Sequence, residues 1–319
     1  MEGEFIMNKY VIFTDNCVDL NPEQRKQFGI EYPVAGYVTF PNGESKPADI
    51  DWEQMSFEDF FHSMEKKTVY KSSQPNPFDI EQRVEEYFKQ GLDVLAITLS
   101  SGMSGTYNSF LMAQKELKEK YPQRKLLVVN SKRYSGGIAL LAIYASKNRE
   151  QGMSIDENFA WLEEKRLGLH QMGILDDLQF LARSGRISKF KAFMGTMVGV
   201  KPMADFDNEN GYPVVLAKSR GYKNAWKNTV AYIRATIGDA NGKIFVISQS
   251  IREPQAEDLK KAIEEEFKNE NITIYMNKVG QSDGVNIGPG LVCAFYLGNE
   301  TSPNCEKERV ILEQIIAEK

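Results

Sequence analysis

Short apolar runs alternate with stretches at helical spacing along almost the whole chain, and this alternation constrains the fold more than any other feature. Tyr10–Thr14 (YVIFT) reads as a strand closed by Asp15-Asn16. Ser56 and Asp59 open FEDFFHSMEKK as a capping box would. Ile80, Val84, Tyr87 and Phe88 recur with helical period, and Gly91 ends that helix. Residues 93–99 (DVLAITL) form a continuous apolar run, the mark of a strand buried on both faces. A Gly/Ser loop leads to a helix with Tyr107, Phe110, Ala113, Leu117 and Tyr121 on one side, then to strand 125–129 and helix 137–149. Such alternation builds right-handed βαβ units around a mainly parallel sheet.

The pattern resets near 152–155, which predicts an N-terminal α/β domain over 1–155 and a C-terminal α/β domain over 156–319. In the second half, Asn210-Gly211 between β-prone runs within 203–217 predicts a hairpin. Helix 222–237, strand 243–248, helix 254–268 and strand 272–276 follow. A last helix near 306–317 carries Val310, Ile311 and Ile315. A crevice between two such halves is a usual place for a ligand.

Composition narrows the function classes. Hydrophobic residues make up 42% of the chain, too many for disorder, and the net charge of −5 argues against a nucleic-acid partner. No apolar run approaches a membrane span and MEGEFIMNKY lacks a secretory pattern, so stable membrane insertion is not expected. Met7 reads as a possible start, and MEGEFI is set aside. Cys17, Cys293 and Cys305 are odd in number and widely spaced, which fits a reducing cytoplasm. The two histidines, His62 and His170, belong to no metal-ligand spacing, and no nucleotide loop is present. No cofactor and no His-rich zinc site is expected, a carboxylate-only Mg²⁺ or Ca²⁺ site is the one metal alternative left open, and the working expectation is no metal.

Three loops carry candidate chemistry. In Ser100-Ser101-Gly102-Met103-Ser104-Gly105-Thr106-Tyr107 a buried strand ends and a helix begins near Ser104–Thr106. Its hydroxyls and helix N–H groups suit an anion, the two glycines admit close backbone approach, and an ordinary N-cap explains the same residues. Ser104 is not in a G-x-S-x-G elbow, because position 106 is threonine, so a hydrolase or acyltransferase using Ser104 is the alternative reading. Tyr70-Lys71-Ser72-Ser73-Gln74-Pro75-Asn76-Pro77 is a proline-stiffened extended loop displaying Ser72, Ser73 and Gln74. Val285-Asn286-Ile287-Gly288-Pro289-Gly290 is a tight turn before an apolar run. Arg183, Arg186 and Lys189 group together, with Lys201, Lys218 and Arg220 further on. They form either a solvated face or a set of partners for an anion.

In this order, FTDNCVDL (13–20), KSSQPNP (71–77), SSGMSGTYNS (100–109), VNSKRYSGG (129–137), ILDDLQFLARSGRIS (174–188), VKP (200–202), KSR (218–220) and NIGPG (286–290) resemble the DegV family. That family includes the fatty-acid-binding B subunits of bacterial fatty acid kinase. The resemblance implies a two-domain α/β protein holding one long-chain fatty acid in an apolar tunnel, with ATP chemistry left to a kinase catalytic subunit. It implies a carboxylate held by Ser72 and Ser104, with Ser73, Thr106 and Asn286 beside them, and a kinase or phosphoryl contact at Arg220. The family commonly has histidine where this chain has Asn286. An amide hydrogen-bonds a carboxylate or acyl phosphate but carries no titrating charge.

Overall fold

The computed structural model describes residues 10–176, 178–186 and 199–318. Met7 and Lys189 lie outside them. In chain order the elements are β1 (Tyr10–Thr14), α1 (Pro22–Phe28), β2 (Tyr37–Thr39), β3 (Ser45–Pro47), α2 (Phe57–Glu65), β4 (Lys71–Ser73), α3 (Pro77–Lys89), β5 (Asp93–Thr98) and α4 (Thr106–Lys120). Next come β6 (Leu126–Asn130), α5 (Gly136–Glu150), α6 (Ile155–Lys165), β7 (Leu169–Ile174), α7 (Gln179–Arg183), β8 (Val200–Asp207) and β9 (Tyr212–Arg220). The chain ends with α8 (Gly221–Thr236), β10 (Ile244–Gln249), α9 (Glu253–Glu266), β11 (Thr273–Lys278), α10 (Gln281–Ile287), β12 (Val292–Leu297) and α11 (Glu306–Ala317).

The predicted parallel sheet has the order β1-β5-β6, with β5 central. Its buried run divides by strand alternation. Val94 and Ala96 join Val11, Phe13, Ile80, Val84 and Phe110 in one apolar cluster, while Leu95 and Ile97 join a second cluster with Ile12, Ile138 and Leu141. The second-half sheet has the order β11-β10-β12-β7-β8-β9. Only its β10–β11 pair is parallel, so the helix–strand alternation read there builds a mostly antiparallel sheet. The hairpin around Asn210-Gly211 is β8–β9.

Helix α5 stands between the two sheets. It is apolar all round, with Ile138–Ile143 wholly buried, as a helix covered on every side must be. One continuous cluster runs across it, from Ile12 and Leu95 through Leu141 to Val246 and Phe295.

Two local readings change. Residues 71–73, read as loop, are a strand of a small antiparallel sheet, β3-β2-β4. Ser56 Oγ accepts from the Asp59 amide at 3.0 Å, but full capping boxes with a reciprocal bond form at Asn21–Gln24 and Ser154–Glu157.

Candidate functional site

Between the parallel sheet and the six-stranded sheet lies a cleft open to solvent at its mouth. Leu99, Met103, Leu175, Leu181, Ala204 and Leu291 give it an apolar lining drawn from both halves of the sequence. Ser72, Ser73, Ser104, Thr106 and Asn286 all line this one cleft. β4 carries the first two, Ser104 precedes α4, Thr106 opens it, and Asn286 sits on α10 rather than in the turn that follows.

These hydroxyls and amides are already wired together. Asn286 Nδ2 donates to Ser72 Oγ at 3.0 Å and to the Ser282 carbonyl at 3.0 Å. Asn16 Nδ2 donates to Ser282 Oγ, and Asn16 Oδ1 accepts from the Gly36 amide at 2.9 Å. Ser104 and Thr106 share a hydroxyl–hydroxyl bond of 2.9 Å. Ser104 is not the N-cap of α4. Gly105 holds that position without a side-chain bond, and Ser104 Oγ accepts from the Thr106 amide at 3.3 Å, so the positive end of the helix lies beside the two hydroxyls.

The glycines of the first loop admit the protein's own chain rather than a ligand. A Cβ at Gly102 would collide with the backbone of Asn210 and Gly211 at the β8–β9 turn, to which Ser100 Oγ also donates at 2.8 Å. A Cβ at Gly105 would collide with the Gln74 amide, whose Nε2 donates to Ser109 Oγ at 2.9 Å. The two hydroxyl-bearing loops are thus held to each other and to the second half by backbone approach that only glycine allows.

Of the cations, Arg186 is the one lysine or arginine among the described lining residues. Its Nη1 donates to the Ser184 carbonyl at 2.6 Å, and with Ser72 and Asn286 it also borders the adjoining surface hollow that includes Arg183 and Lys71. Lys201 pairs with Asp176, together with Arg252 and the Tyr222 hydroxyl, outside the cleft. Arg220 ends β9 on the exposed surface and does not line the cleft.

Neither histidine is placed to activate Ser104. His62 is exposed on α2 and pairs with Glu65 at 2.9 Å. His170 is buried, with Nδ1 2.6 Å from Asp205 and Nε2 2.8 Å from the Asn299 carbonyl. Burial pushes the Asp205 carboxyl up, but the His170 ring and Arg133 outweigh it and hold it below its ordinary range.

Sequence reasoning missed a polar wall deeper in the cleft: Cys17, Tyr134, Gln171 and Asp283. Burial, then the neighbouring Asp19, push the Asp283 carboxyl well above the carboxylate range, against the opposing Cys17 thiol and Ser135 amide. Asp19 accepts from Gly280 N at 2.7 Å and from the Ser135 hydroxyl, and burial pushes it up to about 7. Asp15 accepts from the amides of Cys17 at 2.9 Å and Leu99 at 2.6 Å, yet burial still pushes it to about 6. No local pattern announces Gln171 or Asp283. Arg186 was visible only as one of a group of charges.

Known proteins resemble this chain over most of its length. A relative from Clostridium perfringens, a DegV domain-containing protein, is 33% identical over 297 residues, spanning 93% of this chain and all of the relative. The solved structure of a DegV family protein from Thermus thermophilus, described as showing fatty acid binding, superposes with a TM-score of 0.80 at 24% identity. That match covers 91% of this chain and 99% of the other. The fatty acid kinase B3 protein of Streptococcus pneumoniae, solved loaded with linoleic acid, gives a TM-score of 0.76 at 19% identity, covering 91% of this chain and 100% of the other. The model of the DegV family, described as uncharacterised proteins, matches residues 9–299, so the chain belongs to the DegV family.

Proposed function

We propose that this protein binds one long-chain fatty acid, with its tail in the cleft and its carboxylate at Ser72, Ser104 and Asn286. It presents that carboxylate to a fatty acid kinase catalytic subunit and carries fatty acid or acyl phosphate for phospholipid synthesis. The observation that carries this reading is the gathering of Ser72, Ser73, Ser104, Thr106 and Asn286 on the wall of one apolar cleft. The fatty acids named for the Thermus and Streptococcus proteins agree with it.

The physical division of labour follows. A C16–C18 tail gains about 0.8 kcal/mol per buried methylene, roughly 10 kcal/mol before entropic costs. The hydroxyls, the α4 N-terminus and Arg186 then offset the cost of removing a carboxylate from water. Acyl transfer by Ser104 is not favoured, because its hydroxyl partner is Thr106 and both histidines are engaged elsewhere.

Titration of delipidated protein with C14–C18 acids, with mass spectrometry of the purified chain, tests the reading. One acid per monomer is expected, and no saturable binding would sink it. Ser72→Ala and Ser104→Ala should each weaken binding roughly ten-fold or more, since a hydrogen bond to a charged group contributes about 1.5–3 kcal/mol. Unchanged affinity in both would put the carboxylate elsewhere.

The kinase step has its own test. Arg220 is exposed at the β9–α8 junction, within reach of a partner. Arg220→Ala should slow acyl phosphate formation by a fatty acid kinase catalytic subunit while altering fatty-acid affinity little. Equal rates for both proteins would remove Arg220 from that contact.

A further inference from the structure

An acyl tail made only of methylenes leaves part of this cleft unpaired. Gln171 and Asp283 both line it, only 3% and 6% exposed, and Gln171 Oε1 and Asp283 Oδ2 have no hydrogen-bond partner among the described residues. Native interiors pair nearly all such atoms, and a low-dielectric site makes the exceptions costly. Tyr134 lines the same wall and senses both residues. Gln171 hydrogen-bonds its hydroxyl, and the Asp283 carboxyl acts on it electrostatically.

The two atoms differ in kind. The Gln171 side-chain oxygen is an acceptor. Burial and the neighbouring Asp19 push the Asp283 carboxyl up and so favour its protonated form, in which a carboxyl oxygen offers a donor. An acceptor and a donor on one wall of the cleft match a hydroxyl group, which donates to the first and accepts from the second. A methylene satisfies neither.

We propose that the preferred ligand is a hydroxylated long-chain fatty acid, its chain hydroxyl held between Gln171 and Asp283. This rests on the fatty-acid reading and narrows it to a substrate class. Sites that hydrogen-bond a substrate hydroxyl discriminate strongly against the analogue lacking it, because their own polar groups are then left unpaired.

The test is calorimetric titration of the delipidated full chain with hexadecanoic acid and a set of its monohydroxylated isomers. At least one isomer should bind about ten-fold or more tightly than the parent acid. Gln171→Leu and Asp283→Leu should each bring that ratio toward one. Asp283→Asn keeps hydrogen-bonding atoms in place and should preserve more of the ratio than Asp283→Leu. It also supplies a reading if the leucine variant does not fold.

A parent acid that binds while no isomer exceeds it would overturn the proposal and leave the fatty-acid reading standing. Such a result means that water occupies this pair beside a plain chain. A preferred isomer whose advantage survives both leucine variants would overturn the assignment to Gln171 and Asp283. No saturable binding by any acid would overturn the fatty-acid reading, and this proposal with it.

Discussion

Replacing Ala204 by phenylalanine should reduce fatty-acid affinity more than a hundred-fold, with Ala204→Val falling between it and the parent protein. Ala204 is a buried β8 residue on the cleft wall, paired with Gly173 of β7, and Gly173 lines the same cleft. A Cβ at Gly173 would collide with Cys293 of β12, so Ala204, not the glycine, is the small side chain that leaves room on this wall. A ring projecting there takes space from the tail, and displacing about four methylenes forfeits roughly 3 kcal/mol. Overpacking the core costs stability too, typically about 1–3 kcal/mol. A thermal melt therefore accompanies the titration, and the valine variant keeps the series readable if the phenylalanine variant is unstable. Affinity that stays level across the series, in folded protein, would show that the tail does not pass Ala204.

The β1-β5-β6 core was legible because its strands are continuous apolar runs and its helices carry clean stripes such as Ile80, Val84, Tyr87 and Phe88. The small β3-β2-β4 sheet was not, because its strands have three residues each and no period can be read over three residues. Strand β7 (LHQMGI) escaped for another reason. All six residues are buried, but His170 and Gln171 interrupt the apolar pattern, and their partners come from β8 and the cleft. Helix α10 (QSDGVNI) buries six of its seven residues although its composition is that of a loop.

The site divides in the same way. Ser72, Ser73, Ser104 and Thr106 could be singled out because hydroxyls crowd into loops that glycine and proline mark. Asn286 stood out beside Gly-Pro-Gly. What assembled them was tertiary: the bond from Asn286 to Ser72 joins residues 214 positions apart. Gln171 and Asp283 acquire meaning only from burial beside Tyr134, and burial of a polar residue leaves no periodic trace.

The melting temperature of the ligand-free protein should fall as pH rises from about 5 to about 8. Asp15, Asp19 and Asp283 are raised by burial, to about 6, to about 7 and well above the carboxylate range respectively. A carboxyl raised in the fold binds its proton more tightly there than in the unfolded chain. Its contribution is therefore fully present below about pH 4, where unfolded carboxyls titrate, and is lost as pH climbs through the folded value. The window for Asp19 closes near 7. Asp15 and Asp19 alone should remove roughly 4 kcal/mol over this range, at about 1.4 kcal/mol per pH unit up to each folded value, a drop of roughly 5 °C or more in Tm. Asp19→Asn is the informative variant. An asparagine can still accept from the Gly280 amide and face the Ser135 hydroxyl, while the charge that acts on Asp283 is gone. It should raise Tm at pH 8 more than at pH 5 and flatten the profile. A parent profile that is level or rises over this range, matched by the variant, would show that these acids do not hold their protons in the fold. The consequence reaches the ligand, because an ionised Asp283 on the cleft wall would repel a bound carboxylate. Burial pushes the Asp283 carboxyl up and so works against that repulsion, as a fatty-acid carboxylate in the proposed cleft would require.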